Sequence, residues 1–336
     1  HHAAIPRLGG ISFLPSMLLA AIIMLLPYEN ITGDQKIVIN QWTASCMISL
    51  LIIYAVGIVD DIVGVQAKIK FMFQIIAASL LPISGLYINN LYGFCGIYEI
   101  PFAVGFPLTV LCIAFIDNAM NLIDGIDGLA AGLAFIALGG FLYGFYCIEL
   151  YIYCILIAGL MGILLAYMYY NIFGNPEKGL KIFMGDSGSL TLGFMLSFFI
   201  VKFSMNRPDF IPEGRYFLNL FGNPMAYEKI CLVYAYTLLI VPVFDVFRVI
   251  FVRLYHHTPI FNPDKRHIHH KMLATGLTQH QALFAILGIQ LMFMVVNGLL
   301  VPHLDITLIV LLDILLFMGI NAAITHRING RKKQSV

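Results

Sequence analysis

The sequence predicts an all-α protein, a polytopic integral membrane helix bundle with about ten spans that forms a single domain over residues 1–336. Two observations predict this fold class. The first is composition, because the 336 residues are 60% hydrophobic and only 11% charged, with a mean hydropathy of +0.89. A soluble domain carries about 25% charged residues. The net charge of +1 leaves no basic stripe for nucleic-acid phosphates, so we expect no nucleic-acid partner.

The second observation is a series of long apolar runs, since about 20 helical residues cross the hydrocarbon core of a bilayer. The predicted spans cover residues 11–27, 41–59, 71–88, 101–120, 129–147, 151–172, 189–205, 229–251, 281–301 and 304–324. Short loops join these runs, and no internal repeat or low-complexity linker divides the chain.

The Lys and Arg residues predict the orientation, because the cytoplasmic loops of membrane proteins are enriched in positive charge. If the N-terminus, the even-numbered connections and the C-terminus share one side, that side holds all but five of the 19 Lys and Arg residues. The exceptions are Lys36, Lys202, Arg207, Arg215 and Lys229. The four main polar stretches fall on this same cytoplasmic side, so we expect one site at the cytoplasmic face.

The first polar stretch is "VDDIVGVQAKIK" at residues 59–70. It places Asp60 and Asp61 at the end of the second span, with Lys68 and Lys70 soon after. Adjacent carboxylates at a membrane edge repel each other and lose hydration, so they favour a nearby cation or a shared proton. An ordinary solvated helix end is the alternative interpretation.

The second stretch is "NAMNLIDGIDGLAAG" at residues 118–132. Asn118, Asn121 and Asp124 recur at every third position, which keeps them within about 120° of arc on a helix. Glycines then break the helix beside Asp127 and bring backbone close to a ligand. A plain re-entrant turn is the alternative, but such a turn needs the glycines without the polar side chains.

The third stretch, "FMGDSGSL" at residues 183–190, places Asp186 and a Gly-rich turn directly before the seventh span. A helix N-terminus has free N–H groups and a positive dipole, so it attracts anions. Mg²⁺ prefers few carboxylates together with phosphate oxygens, and Asp186 suits such a metal. An Asp or Ser N-cap is the alternative, and it is compatible with the metal role.

The fourth stretch, "YHHTPIFNPDKRHIHHKM" at residues 255–272, is rich in cationic side chains. Its charged end contains Lys265, Arg266, His267, His269, His270 and Lys271. Zinc binding is disfavoured because no Cys lies nearby and the flanking cations repel a metal. Donors to a diphosphate fit better, and a basic loop that contacts anionic lipid headgroups is the alternative.

Together these stretches predict a Mg²⁺ site, with Mn²⁺ as an alternative metal, and a nucleotide diphosphate as substrate. Metals and cations neutralise the charge that develops in phosphoryl transfer, while the protein positions the reactants. Because the expected site lies at the level of the lipid headgroups, the second reactant is expected to be a membrane lipid.

The motifs resemble those of the polyprenyl-phosphate N-acetylhexosamine-1-phosphate transferase family. The matching stretches are "DD" at 60–61, "NxxNxxDGxDGLA" at 118–130, "FMGDSGSL" at 183–190 and "PDKRHIHH" at 263–270, with weaker matches "IPRLGG" at 5–10 and "PVFDVFRV" at 242–249. They follow the family's order across nearly the whole chain, so the resemblance is specific.

The resemblance implies a Mg²⁺-dependent phosphoglycosyl transferase, which moves a sugar-1-phosphate from a UDP-sugar to undecaprenyl phosphate and releases UMP. The histidine motif resembles the branch that uses UDP-GlcNAc to start cell-envelope polysaccharides, and other UDP-N-acetylhexosamines are the alternative donors. The implied location is the bacterial inner membrane, with several spans and a cytoplasmic active site. A homodimer is left open.

The resemblance also assigns roles by position. The implied metal ligands are Asp186 and Asp124. The implied catalytic residues are Asp60, Asp61, Asp124, Asp127 and His267, with Asp60 as a candidate base or phosphate-orienting group. The implied substrate-binding residues are Lys70, Asn121, Phe183, Arg266, His269 and His270, with Phe183 stacking on the uracil.

Two features depart from the family pattern. Family members have eleven spans, and His1 fits a family histidine by its spacing, which predicts that a first span precedes this chain. Asp313 lies near the middle of the last predicted span and has no role in the family. A carboxylate inside a membrane is usually functional, so we expect a role for it.

Three other classes are disfavoured. A secondary transporter would place its polar residues near the bilayer midplane on broken helices, whereas here they lie at one face. A CDP-alcohol phosphotransferase would need an Ala-Arg pair soon after its Asp-Gly, and "DGIDGLAAG" has none. A non-catalytic scaffold would not need the Asp-rich loops.

Overall fold

A computed structural model describes the backbone of residues 6–7, 9–32, 41–205, 216–218, 224–259 and 265–334. Its α-helices in these ranges are α1 (Phe13–Thr32), α2 (Gln41–Val63), α3 (Ala67–Ile83), α4 (Phe102–Ile123), α5 (Leu129–Cys147), α6 (Tyr151–Phe173), α7 (Gly185–Ser204), α8 (Tyr227–Thr237), α9 (Ile240–Tyr255), α10 (Ile268–Ala274), α11 (Gln279–Leu300) and α12 (Ile306–Gln334). Two short antiparallel hairpins pair β1 (Asn90–Phe94) with β2 (Ile97–Glu99), and β3 (Tyr216–Leu218) with β4 (Pro224–Ala226).

The predicted all-α membrane fold is confirmed. Within the described ranges, seven helices are long and apolar enough to cross a bilayer, and the number is eight if the bent pair α8–α9 is counted as one span. The sequence-based count of about ten spans includes two more runs. One is the apolar stretch Gly9–Ile23, which continues into α1, and the other is α3, which has 17 residues and is short for a full crossing.

The β1–β2 hairpin was not predicted from the sequence. It fills the connection between α3 and α4, where Gly93 and Gly96 adopt left-handed backbone conformations with φ of 89° and 77°. Glycine adopts this conformation without the steric cost of a Cβ atom. The hairpin precedes α4, whereas Asp124 follows it, so the hairpin lies at the opposite end of the bundle from the polar motif.

Helix α7 lies at the centre of the bundle. Its spanning segment is completely buried, and it packs mainly on α2 and α4. A Cβ atom at Gly57 would lie 2.5 Å from the Cα of Ser187, and one at Gly193 would lie 2.8 Å from the Cα of Asp117. Glycines permit such close contact between membrane helices. The N-terminus of α7 is therefore held between the ends of α2 and α4.

The run predicted as one span at residues 229–251 is broken, because α8 and α9 meet at an angle of 63°. The side chain of Gln290 on α11 bridges the break. Its amide N–H donates to the carbonyl of Thr237 at 2.8 Å, and its carbonyl accepts from the N–H of Val241 at 3.3 Å. Backbone groups freed inside a membrane must find such partners.

We expect Gln290→Met to destabilise the fold by roughly 1–3 kcal/mol, because two buried backbone groups would lose their partner. Methionine has a similar length, so the change removes the hydrogen bonds with little change in volume. The measurement is thermal unfolding in detergent. Leu291→Met, at the neighbouring lipid-facing position, is the control. Equal melting temperatures for the two variants would show that the bridge does not contribute.

Candidate active site

The N-terminus of α7 is capped by a carboxylate from another helix. Asp61, at the end of α2, accepts hydrogen bonds from the N–H groups of Asp186 at 2.7 Å and Ser187 at 2.9 Å. This helix terminus does attract an anion, as expected, but the anion is part of the chain itself. Asp61 thus fixes α2 to α7 directly beside the Asp186 carboxylate.

Asp186 receives two polar donors on one oxygen. The Lys70 ammonium lies 3.0 Å from Oδ1 of Asp186, and the Asn121 amide donates to the same oxygen at 2.5 Å. Asn121 also donates to the hydroxyl of Ser189 at 2.8 Å. Three helices, α3, α4 and α7, therefore meet at this carboxylate.

Asp60 lies on the far side of Lys70. Its Oδ2 is 2.5 Å from the Lys70 ammonium, and its Oδ1 accepts from the N–H of Val65 at 2.6 Å. A carboxylate held by a cation and by a backbone donor is a weak base. The geometry thus favours an orienting role for Asp60 over proton abstraction.

These groups border a polar cavity of about 500 Å³, a volume in the range of small-molecule binding sites. Its lining residues are Arg7, Asp61, Asn121, Asp124, Gly125, Ile126, Asp127, Tyr167, Asn171, Phe183, Met184, Gly185, Asp186, Ser189 and Gln279. Six predicted site residues belong to this lining: Asp61, Asn121, Asp124, Asp127, Phe183 and Asp186. The other six predicted site residues are not part of this lining: Asp60, Lys70, Arg266, His267, His269 and His270.

The two carboxylates of the DGxDG loop have different surroundings. Asp127 forms an ion pair with buried Lys181 at 2.6 Å. No hydrogen-bond donor within the described part of the chain contacts Asp124. Burial, followed by repulsion from Asp186 and Asp127, raises the pKa of Asp124 to about 7. A carboxylate in this situation gains from a bound cation.

The donor set fits a magnesium ion. Asp124, Asp186 and Asn121 carry hard oxygen atoms and line the cavity, and Mg²⁺ binds through one or two carboxylates together with substrate phosphates. No group of three or more His, Cys, Asp or Glu side chains is poised around a metal position in the ranges that the structure describes. This arrangement would leave coordination positions for a substrate.

The stretch before α1 completes the cavity. The N–H of Phe183 donates to the carbonyl of Pro6 at 2.9 Å, and the N–H of Gly9 donates to the carbonyl of Phe183 at 3.0 Å. This pairing brings Arg7 to the cavity lining. The weak "IPRLGG" match signalled this segment, but Arg7 was not among the predicted site residues. His1 lies outside the described residues.

The histidine stretch is anchored by Asp245 of α9. This buried carboxylate accepts from the N–H of Ile268 at 3.0 Å, lies 2.9 Å from Nδ1 of His267, and pairs with Arg248 at 2.7 Å. The Arg248 guanidinium also donates to the carbonyl of Arg266 at 2.5 Å. Arg266 and His267 are thereby fixed to α9.

Sequence reasoning missed Asp245 and Arg248 as site residues, although "PVFDVFRV" was a weak signal for them. Residues 263 and 264 of the motif lie outside the described part.

His269 connects this stretch to the DGxDG loop. Its ring packs so closely on Gly125 that a Cβ atom there would lie 2.1 Å from Nε2. The His270 ring centroid is 4.2 Å from that of His269. Burial, and then the neighbouring His270 and His267, lower the pKa of His269 to about 4. The four polar stretches thus converge at one end of the bundle, with a neutral imidazole at the junction.

The lowered pKa of His269 predicts an acid-sensitive fold. The unfolded imidazole takes up a proton near pH 6.5, but the folded one does so only near pH 4. The stabilisation from the neutral ring is complete above pH 6.5 and is lost as the pH falls toward 4. We expect a loss of about 2 kcal/mol at pH 5. The free energy of unfolding of the wild type and of His269→Gln, compared at pH 7.5 and pH 5, measures this loss. Identical pH dependence of the two proteins would contradict this assignment.

Asp313 lies apart from the cavity. Its Oδ2 accepts from the hydroxyl of Tyr236 at 2.6 Å and from the amide of Asn297 at 2.8 Å, and Asn297 also donates to Thr237 at 2.8 Å. These contacts join α8, α11 and α12 inside the membrane. In the structure, Asp313 therefore acts as a buried hydrogen-bond acceptor that connects these three helices.

A helical membrane bundle with a carboxylate-rich cavity at one end is the arrangement of a membrane-embedded enzyme. Comparison with known proteins shows which class of membrane enzyme this is. The model of the family described as glycosyl transferase family 4 matches residues 43–204, which extend from α2 to the end of α7. This segment includes three of the four polar motifs.

Three relatives extend the match. A probable undecaprenyl-phosphate N-acetylglucosaminyl 1-phosphate transferase of Bacillus subtilis is 30% identical over 99% of this chain and 84% of its own length. An undecaprenyl-phosphate alpha-N-acetylglucosaminyl 1-phosphate transferase of Yersinia pestis is 28% identical over 84% of this chain and 69% of its own. A decaprenyl-phosphate N-acetylglucosaminephosphotransferase of Mycobacterium leprae is 28% identical over 85% of this chain and 71% of its own length. The chain belongs to the polyprenyl-phosphate N-acetylhexosamine-1-phosphate transferase family, and it is an enzyme that transfers a phosphosugar.

Proposed function

We propose that the protein transfers N-acetylglucosamine 1-phosphate from UDP-GlcNAc to undecaprenyl phosphate, releases UMP, and thereby starts the assembly of a cell-envelope polysaccharide. The observation that carries this proposal is the cavity at one end of the bundle, which Asp124, Asp186 and Asn121 line. The names of the relatives support the acceptor lipid and the sugar.

In the proposed reaction, an oxygen of the lipid phosphate forms a bond to the β-phosphorus of the donor. The bond from that phosphorus to the oxygen bridging to the α-phosphate breaks, and UMP leaves with the electron pair. A phosphate monoester is already largely ionised near pH 7, so the attacking oxygen needs no strong base. This agrees with the contacts of Asp60, which suit an orienting group.

We propose that Asp124 and Asp186, together with Asn121, hold Mg²⁺, which would neutralise charge on the diphosphate. Other residues would act on the substrates themselves. Phe183 would stack on the uracil, while Arg7 of the cavity lining, and Arg266 and His270 of the histidine stretch, would attract phosphates. Asp61 would keep the N-terminus of α7, and with it Asp186, in place through its two backbone hydrogen bonds.

We further propose that the protein resides in the bacterial plasma membrane with this site on the cytoplasmic side. The distribution of Lys and Arg between the two faces supports this orientation. UDP-sugars are cytoplasmic metabolites, so the same side would give the donor access to the cavity. A homodimer stays a prediction.

The test is transfer of labelled GlcNAc into the organic phase, with purified protein, undecaprenyl phosphate and Mg²⁺ in detergent. We expect lipid-bound label that disappears with EDTA and in Asp186→Asn. Ser197→Ala, a buried change on the same helix, is the control and should leave transfer unchanged. Transfer from UDP-GalNAc but not from UDP-GlcNAc would show that UDP-GalNAc is the donor. No transfer from either by a folded protein would contradict the proposed function.

A further inference from the structure

A second layer of polar contacts lies one helical turn below the cavity. Gln74 on α3 and Asp117 on α4 are each 1% exposed. The Gln74 amide donates to Oδ2 of Asp117 at 2.9 Å, and the Asn118 amide donates to Oε1 of Gln74 at 2.7 Å. Buried polar groups within a membrane are costly unless they are bonded. These contacts therefore form a specific clasp between α3 and α4, which we call the α3–α4 clasp.

The register of the clasp matches that of the site above it. On α3, Gln74 follows Lys70 by four residues, and on α4, Asn121 follows Asp117 by four. Residues four apart lie on the same face of a helix. The two donors to Asp186 thus sit directly above the two principal members of the clasp.

The third helix is present in the lower layer as well. A Cβ atom at Gly193 of α7 would lie 2.8 Å from Oδ1 of Asp117. Gly193 is two turns below Asp186 on the same helix. The helices α3, α4 and α7 therefore meet twice, once at the Asp186 carboxylate and once at the clasp. None of the clasp residues lines the cavity.

We propose that Gln74 and Asp117 are positioning residues, which set the Lys70 ammonium and the Asn121 amide against the Asp186 carboxylate. This inference rests on the proposed function, because it gives Asp186 a role in catalysis. Buried polar pairs can often be replaced by apolar residues of similar volume without loss of stability. Helix packing alone does not explain the clasp, because apolar side chains would also pack, whereas a role in fixing the register of α3 against α4 does explain it.

The first test measures the position of Lys70 without turnover. The full-length protein in detergent is treated with acetic anhydride, and acetylation of Lys70 relative to exposed Lys68 is read by mass spectrometry. We expect Gln74→Met to raise this ratio on the order of 3-fold to 10-fold, the factor that one lost hydrogen bond carries. Ser197→Ala removes a hydroxyl that donates to the carbonyls of Gly193 and Phe194 within α7, and it should leave the ratio unchanged.

Two further variants separate positioning from folding. Asp117→Asn keeps an acceptor for Gln74 and should retain the native labelling ratio, whereas Asp117→Leu should raise it. If Gln74→Met does not fold, Gln74→Asn, which keeps the amide but shortens its reach, takes its place. In the transfer assay, we expect kcat to fall about 10-fold or more in Gln74→Met, with KM for UDP-GlcNAc little changed.

An unchanged labelling ratio and an unchanged kcat in folded Gln74→Met would overturn the proposal. A rise in KM alone would also overturn it, because that pattern indicates weaker substrate binding. Acetylation needs no substrate, so the labelling ratio can be measured even in a protein that does not use UDP-GlcNAc. Failure of the proposed function and failure of the clasp are therefore distinguishable.

Discussion

Asp124→Asn is expected to abolish most of the transfer activity while leaving the fold intact. The substitution keeps the shape of the side chain but removes the charge of one of the two carboxylates that are proposed to bind Mg²⁺. We expect kcat to fall on the order of 10²-fold to 10³-fold, the range found when a preorganised electrostatic group is removed from an active site. Steady-state transfer at saturating Mg²⁺ measures this change.

The same substitution should not lower stability. Burial, followed by repulsion from Asp186 and Asp127, raises the pKa of Asp124, so removing its charge relieves both effects. The melting temperature of Asp124→Asn in detergent without metal should equal or exceed that of the wild type.

Asp127→Asn is the matched comparison, three residues along the same loop. It would leave the buried Lys181 ammonium without its carboxylate, and breaking one partner of a buried ion pair is destabilising. We therefore expect Asp127→Asn to melt at a lower temperature than Asp124→Asn. An Asp124→Asn protein that keeps most of its activity, or that melts well below the wild type, would contradict this account of the cavity.

Gly125→Ala is the second change with a large expected effect. The new methyl group would lie 2.1 Å from Nε2 of His269, so the His269 ring or the DGxDG loop must shift. A displacement of about 1 Å in an active site can cost on the order of 10²-fold in rate. We expect a loss of this size in kcat/KM for UDP-GlcNAc.

Gly288→Ala provides the control for Gly125→Ala. Gly288 lies on α11, and a Cβ atom there would meet nothing within 4 Å. Alanine also favours the helix over glycine, so this variant should be fully active. A second variant, Gly125→Ala combined with His269→Ala, removes the ring that the methyl group displaces. Full activity of the single Gly125→Ala variant would show that the contact is not required.

Much of the fold could be predicted from the sequence because hydropathy reports directly on the bilayer. Each predicted span has a helix in the structure. Because successive loops alternate between the two faces of the membrane, the sequence already predicted that the four polar stretches lie on the same face. The convergence of Asp61, Asn121 and Asp186 follows from topology, since the ends of successive spans on one face have little room to separate.

The contacts within the site were harder to predict, because they depend on which helix ends touch. Asp61 caps α7, and Asp245 caps α10, each from another part of the chain. Local rules for helix caps examine only the residues beside the helix start, so they missed both. The apolar surroundings of Gln74 and Asp117 likewise marked them only as parts of spans.

The break between α8 and α9 shows a similar limit. Its run is as apolar as an unbroken span, and the residue that makes the break tolerable, Gln290, lies on another helix. Arg7 and Lys181 also reach the site through tertiary contacts. Their charges were visible in the sequence, but their partners were not.

The fate of the two donor phosphorus atoms distinguishes transfer of a sugar phosphate from transfer of the sugar alone. UDP-GlcNAc labelled with ³²P at either the α- or the β-phosphate is incubated with the protein, undecaprenyl phosphate and Mg²⁺, and the phases are separated. We predict that the β-label enters the lipid phase, while the α-label stays in the aqueous phase as UMP. Label of both kinds in the aqueous phase, with the sugar alone in the lipid, would contradict it.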